Sequence, residues 1–174
     1  MDWIRDNGGL VESGRREALS AIRWLVKVLT SRHYIVRGDS MAPTLRNGDV
    51  VLVTGLRRAK AGPGRGDVVV VGEAPPGERR SIKRVVGMPG ETVRTDEGTL
   101  YVGGVPPAEP YLGGLPAVLG VDTEQWALGP DEYLVLGDNR ARSTDSRAYG
   151  PVERPRIIGR AWWRYWPPGR AGRL

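Results

Sequence analysis

Two rhythms of apolar and polar residues divide this chain. The first covers residues 15–32, "RREALSAIRWLVKVLTSR", where Leu19, Ile22, Val26 and Leu29 recur at helical spacing, flanked by Ala18 and Leu25. Arg16, Ser20, Arg23, Lys27 and Thr30 form the opposing stripe, so an amphipathic helix is expected. Residues 1–14 are polar and Gly-containing and read as a mobile arm. The second rhythm starts at residue 34. Short β-branched or aromatic runs follow one another: "YIV" (34–36), "DVVLV" (49–53), "DVVVV" (67–71), "SIKRVV" (81–86), "ETVRT" (91–95), "TLYV" (99–102), "EYLVLG" (132–137) and "IIGRAWWRYW" (157–166). Gly, Pro, Asn and Asp bound them, and each predicts a strand. Residues 103–130, rich in Gly and Pro, read as a long excursion over the surface. No internal repeat is visible.

The pattern predicts a mainly β protein: one β domain of short strands with one N-terminal amphipathic helix. The expected division is an arm and helix over residues 1–32, a β domain over 33–168 and a tail over 169–174. The helix does not read as a membrane span, which needs about 20 mostly apolar residues. Arg23 and Lys27 near its middle would each cost roughly 2.5–3.5 kcal/mol on insertion. It suits a lipid interface, cations up and Leu, Ile and Trp24 down. Packing on the protein's own core is the other reading of the same stripe.

Composition changes this picture in two places. The 174 residues carry a net charge of +6, which favours anionic partners, acidic lipid or nucleic acid, without choosing between them. Scattered surface arginine would give the same excess. The chain has no cysteine and one histidine. That excludes disulfides, thiolate metal sites and a cysteine nucleophile, and no metal or other cofactor is expected.

The candidate chemistry sits in "GDSMAPTL" (38–45), with Ser40 after a Gly-Asp pair. A serine hydroxyl needs a base to become a nucleophile. His33 precedes it by only seven residues, at the entry to a strand, and reads as a surface or interfacial residue. A carboxylate is too weak a base alone. Lysine pairs with serine in a known variant, on condition that it is neutral. With an ordinary pKa of about 10.4, only roughly one in 2,500 is neutral at pH 7, so burial must lower it. Of Lys27, Lys60 and Lys83, only Lys83 lies in an apolar strand, between Ile82 and Val85–Val86. Strand alternation puts Lys83 on the face of Val85. An edge-strand lysine guarding against pairing remains the alternative.

Three blocks in order resemble the type I signal peptidases, the Ser/Lys proteases that remove signal peptides from exported proteins. They are "GDSMAPTL" with "GD" (48–49), "KRVVGMPGE" (83–91), and "GDNRARSTDSRAYGPV" (137–152) followed by "IIGRAWWRYWPP" (157–168). "YVGGVPPAEPYL" (101–112) is a weaker fourth. The resemblance implies Ser40 as nucleophile, Lys83 as general base and Ser143 as the hydroxyl that orients the lysine. It implies a brace of Asp145 and Arg147 with Asp138. It gives an oxyanion region at Gly38 and Ser40, with the Ser40 N–H as one donor. Where one branch of the family has a serine, this chain has Gly38, so a backbone N–H must substitute. The chain departs again at Ala141 and Arg142, where members more often carry Asp or Asn.

The same resemblance implies a substrate strand lying alongside the strand before the serine and the strand of the lysine. Tyr34, Val36, Met41, Leu45 and Ile82 would then line shallow pockets for the small residues of an A-x-A signal, or belong to the core. The partners it implies are signal peptides of exported preproteins and a lipid membrane surface, with no nucleic acid, for a monomer. It places the protein at the cytoplasmic membrane with its catalytic domain on the extracytoplasmic face. Trp3, Trp24, Trp162, Trp163, Tyr165 and Trp166 give an aromatic inventory suited to an interface. Two rival readings stay open: a self-cleaving Ser/Lys regulatory protease, and a non-catalytic basic β module binding anionic lipid or nucleic acid.

Overall fold

A computed structural model describes residues 19–22, 24–56, 62–72, 80–117 and 123–174. The expected arm over 1–14, with Trp3, and Arg23 and Lys60 lie outside the described residues. The chain divides into two compact units, Met1–Ser31 and Arg32–Leu174.

The first unit contains α1, helical over residues 19–22 and 24–30. Leu19, Ile22, Val26 and Leu29 of its apolar stripe are exposed, as are Trp24 and Leu25. At its C-terminal end the Thr30 hydroxyl donates to the Val26 carbonyl at 2.8 Å and the Ser31 hydroxyl to that of Lys27 at 2.6 Å. These hydroxyls add side-chain bonds to the helix's own last turn, the local back-bonding that Ser and Thr make to carbonyls one turn earlier. No described helix is long and apolar enough to cross a membrane.

The second unit is built of β1 (Arg32–Ile35), β2 (Val50–Gly55), β3 (Val68–Gly72), β4 (Arg80–Gly87), β5 (Thr92–Asp96), β6 (Thr99–Val102), β7 (Glu124–Ala127), β8 (Glu132–Leu136), β9 (Val152–Glu153), β10 (Ile157–Trp166) and β11 (Gly172–Arg173). The larger sheet has the order β1-β2-β10-β3-β4-β8-β9, with β11 on β10, and the smaller is β6-β5-β7. All pairs are antiparallel. Every run picked out in the sequence is a strand within a few residues. β7, β9 and β11 were not foreseen. They have little apolar pattern of their own, and pairing with β5, β8 and β10 makes them strands. β7 and the buried Leu112 and Leu128 lie in the stretch expected to be a surface excursion. Gly172 and Arg173, within the expected tail, pair with Arg164 and Trp163.

The valine run of β3 shows where the core sits. Val68 and Val70 pack with Val36, Met41, Leu45, Val51, Val53 and Ala161 on one face. Val69 and Val71 pack with Val85, Tyr133, Val135, Val152 and Ile157 on the other. A strand covered on both faces needs no alternation, which is why its sequence reads as a continuous apolar run. Each such valine stabilises the fold by about 1.5–3 kcal/mol. A third cluster, with Val86, Leu134 and Leu136 from the large sheet and Val93 and Leu100 from the small one, joins the two sheets. Gly87 allows that approach: a methyl there would lie 2.7 Å from Val93 Cγ2.

Two strand edges position the site. β1 ends the large sheet, with no strand on its outer side among the described residues. β4 pairs with β3 along Arg80–Arg84, but with β8 only from Arg84 onward. Its edge is therefore without a strand partner from Arg80 to Lys83, among the described residues.

Candidate active site

Ser40 lies in the turn between β1 and β2. The Val36 N–H donates to the Asp49 carbonyl at 2.8 Å, and the Gly48 N–H to that of Val36 at 3.0 Å, closing the base of the turn. Met41 and Leu45, at 1 % and 0 % exposure, drop into the core cluster of Val36 and Val51. That pins the turn from below and leaves Ser40 half-buried beside the exposed Asp39. Thr44 pins it from the side. Its carbonyl accepts from Arg164 Nη1 at 2.5 Å and its hydroxyl from Arg84 Nη2 at 3.3 Å.

Lys83 comes from β4, opposite Val69, and is 3 % exposed. Its Nζ lies 3.2 Å from Ser40 Oγ and 3.1 Å from the Ile82 carbonyl oxygen. Burial pushes the ammonium below its ordinary pKa, and the Asp145 charge opposes this without reversing it. The sequence's condition for a lysine base, an amine in apolar surroundings within reach of one hydroxyl, is thus met by side chains 43 residues apart.

The loop after β8 supplies the other expected residues, differently arranged. Asp145 caps α2 (Ser146–Tyr149). Its carboxylate accepts from Arg147 Nε at 2.8 Å, Arg147 Nη2 at 2.9 Å and the Gly137 N–H at 2.9 Å. Burial pushes this carboxyl up, but the Arg147 and Gly137 hydrogen bonds, the Arg147 charge and the nearby Ser143 hydroxyl outweigh it, and the net direction is down. Asp138 does not join this pair. It is fully buried and takes a bidentate pair from Arg84, Nε at 2.8 Å and Nη2 at 2.6 Å. The expected single brace is therefore two separate ion pairs, because Arg84 reaches Asp138 from the neighbouring strand.

Ser143 comes from the same loop. Its Oγ is buried and makes no hydrogen bond at regular geometry, either to Lys83 or to Asp145, whose carboxyl it nonetheless helps to hold down. It is packed over Gly137, where a methyl would fall 2.2 Å from Ser143 Oγ and 2.4 Å from the Ser40 carbonyl oxygen. The bare glycine is what lets the two serines' segments meet. The Asn139 N–H donates to the Ser40 carbonyl at 3.0 Å and fixes that contact. In the oxyanion region, the Gly38 N–H donates to Asn47 Oδ1 at 3.0 Å and is thus engaged. The Ser40 N–H donates to no acceptor among the described residues.

Of the residues expected to line pockets, Val36, Met41 and Leu45 are core, at 4 % exposure or less. Their anchoring of the turn leaves them almost no surface to offer a ligand. Tyr34 and Ile82 are half-buried against the same cluster and keep a face outward. His33 is exposed and bonded through Nδ1 to the Tyr165 hydroxyl at 2.9 Å, with no bond to Ser40. The terminal aromatic run divides between core and surface: Trp162 is 9 % exposed and Trp166 53 %.

Sequence reasoning missed the arginines. Arg84 lies 3.9 Å over the Tyr111 ring and donates to the Gly66 carbonyl at 2.8 Å besides holding Asp138. Tyr111 donates to Glu109 at 2.5 Å, and Arg140 pairs with the same carboxylate at 2.5 Å. Burial and Glu109 together push the Tyr111 hydroxyl up, against the nearby arginines. Arg170 reaches buried Asp49 at 3.0 Å. The one available signal was Arg84 itself, a charge inside the apolar run "IKRVV" with no room to face water.

A half-buried serine beside a buried amine of lowered pKa, on a mostly β frame, can perform nucleophilic acyl chemistry. The family "signal peptidase, peptidase S26" matches residues 18–166. The chain is 33% identical over 159 residues to a probable signal peptidase I-2 of Synechocystis sp., covering 86% of this chain and 69% of that protein. It is 35% identical to a signal peptidase I of Leptolyngbya laminosa, covering 95% and 84%. A solved signal peptidase I of Enterococcus faecalis is 32% identical over 57% of this chain and 97% of that one, with a TM-score of 0.49. The chain belongs to the signal peptidase family and is a serine peptidase that removes signal peptides. Proteins of this family are typically membrane-associated.

Proposed function

We propose that Ser40 is the nucleophile and Lys83 the general base for cutting the signal peptides of exported preproteins after small residues. The observation that carries this reading is the 3.2 Å approach of Lys83 Nζ to Ser40 Oγ by an amine that is 3 % exposed. Neutral Nζ takes the Ser40 proton as Oγ bonds to the substrate carbonyl carbon. The negative oxygen is met by the unengaged Ser40 N–H. The protonated amine then gives its proton to the leaving nitrogen, and the peptide bond breaks to an acyl-enzyme. Water, deprotonated by Lys83, attacks the acyl carbon and restores the Ser40 hydroxyl. Ser143 brings an unpartnered buried hydroxyl to this centre, which favours its role in orienting the amine. Such an orphan costs about 1–3 kcal/mol until it is satisfied.

The free edges of β1 and β4 suit a substrate strand paired by main-chain bonds, with Tyr34 and Ile82 beside it. A lipid surface is the partner that suits the exposed apolar stripe of α1, the exposed Ile35, Tyr165 and Trp166 and the net charge of +6. We read the protein as a monomer at the cytoplasmic membrane, its β unit on the extracytoplasmic face, with no nucleic-acid partner. The test is cleavage of an exported precursor in detergent by Lys83→Ala and Ser40→Ala. Each is expected to lose activity by about 10³-fold or more. Near wild-type cleavage by either variant refutes the dyad.

A further inference from the structure

The segment Glu109–Leu112, between β6 and β7, takes no part in the chemistry above, yet two of its side chains enter the interior beside the site. Leu112 is buried and anchors the segment. The Glu109 carboxylate, 6 % exposed, faces the Arg140 guanidinium, 2 % exposed. Arg140 Nη2 donates to Glu109 Oε1 at 2.5 Å and Nη1 to Oε2 at 3.3 Å. The Tyr111 hydroxyl donates to the same Oε1 at 2.5 Å. Burial, that hydrogen bond and the Glu109 charge hold the proton on the phenol, so it stays a donor at the alkaline pH that a lysine base favours.

From Arg140 the contacts lead toward the reacting groups. Its Nε donates to the Gly137 carbonyl at 3.0 Å, and its own carbonyl accepts from Arg147 Nη2 at 2.9 Å. Gly137 is the residue over which Ser143 packs, against the Ser40 carbonyl. On the other side, the Tyr111 ring lies 3.9 Å from the Arg84 guanidinium. Arg84 follows Lys83 on β4 and holds both Asp138 and the Thr44 hydroxyl of the Ser40 turn. The contacts therefore close on themselves, from Glu109 through Arg140 to the loop of Asp138, then through Arg84 to Tyr111 and back. A buried ion pair is weak evidence for stability, because desolvation offsets much of its attraction, and its best-attested use is to fix register. The register fixed here is that of the Ser143 loop against the Lys83 strand.

We propose that Glu109 and Tyr111 are positioning residues for cleavage, a strut that sets the Gly137–Ser143 loop against the strand of Lys83. This rests on the Ser40–Lys83 reading. Neither residue touches a reacting atom. Glu109 acts through Arg140 on Gly137, and Tyr111 acts through Glu109 and through the face of Arg84.

The test measures kcat and KM per folded molecule on an exported precursor, with the full chain in detergent, beside urea unfolding. Glu109→Gln keeps the side chain's shape and drops its charge. It is expected to lower kcat by about tenfold to 10²-fold, the scale of a misplacement near 1 Å, with KM within about twofold of wild type. Tyr111→Phe, which keeps the ring on Arg84 and removes the hydroxyl, is expected to lower kcat by less. The double variant Glu109→Leu/Arg140→Met buries no unpaired charge, so its urea midpoint should lie above that of Glu109→Leu while its kcat stays low. Recovery of kcat together with stability in the double variant makes the pair merely structural and overturns the strut. So does wild-type kcat in Tyr111→Phe, whether or not Glu109→Gln folds, and so does a raised KM at unchanged kcat. Failure of the dyad is distinguishable, because Lys83→Ala would then still cleave the precursor with Glu109 and Tyr111 intact.

Discussion

Replacing Arg84 with methionine strands a fully buried carboxylate. Arg84 is 5 % exposed and Asp138 0 %. The guanidinium makes both Asp138 bonds, donates to Gly66 and Thr44, and stacks over Tyr111. Removing one partner of a buried pair costs about 3–5 kcal/mol, mostly the penalty of the charge left behind. The Gly66 bond adds about 0.5–1.5 kcal/mol, and the ring contact up to ~2 kcal/mol. These overlap, so about 4–5 kcal/mol is expected, roughly a quarter or more of the stability of an ordinary domain of about 5–15 kcal/mol. The assay is urea unfolding of wild type, R84M, D138L and the double variant R84M/D138L in one detergent. The double variant buries no unpaired charge and should be more stable than R84M. Because Thr44 loses one of its supports, kcat of folded R84M should also fall, by up to about 10²-fold for a misplacement near 1 Å. A cost for R84M below about 1 kcal/mol, with the double variant no better, refutes this account of the pair.

Lys83 predicts two pH effects of opposite use. Cleavage needs the neutral amine, so kcat/KM should rise with pH through a value below the ordinary lysine range, measured on a substrate with no titrating groups nearby. For stability, the unfolded chain holds the Lys83 proton to higher pH than the folded one, so stability rises with pH between the two values. Lys83→Met should therefore be the more stable protein at neutral pH, with its advantage over wild type shrinking as pH climbs toward about 10.4. Gly137→Ala should cost about 1–3 kcal/mol by overpacking, since its methyl meets Ser143 and the Ser40 carbonyl, and should lower kcat more than it raises KM. Arg170→Ala removes the 3.0 Å bond to Asp49, which is 2 % exposed, and should cost about 1–3 kcal/mol in thermal or urea unfolding.

The legible parts of the site were those where a residue contradicts its surroundings. Lys83 in an apolar run and Ser40 in a Gly-rich turn each pose a local problem, and a single pairing solves both. The Asp145–Arg147 pair came from the family resemblance, and the structure holds it locally: the two lie two residues apart and share one cap. Asp138 was misassigned because its partner lies 54 residues away, in a strand where arginine looked like surface. For three of the five residues weighed between pocket and core, Val36, Met41 and Leu45, the structure gives core. Met41 and Leu45 are apolar beside a nucleophile, which suits a pocket wall or a buried peg equally well.

The sequence by itself determined most of the strand runs, the helix stripe, and one serine and one lysine as candidates. The runs and the stripe follow from periodicity, which acts over a few positions; the pairing of the two candidates came from the family resemblance. Tertiary structure alone decided which arginine neutralises which carboxylate, that β7, β9 and β11 are strands at all, and that Ser143 is packed over Gly137. It also decided that the edge of β4 stays open from Arg80 to Lys83. Those outcomes depend on the β4–β8 register and on contacts between distant segments, where a charge is satisfied by whichever partner the packing brings within about 3 Å. No local pattern encodes that distance.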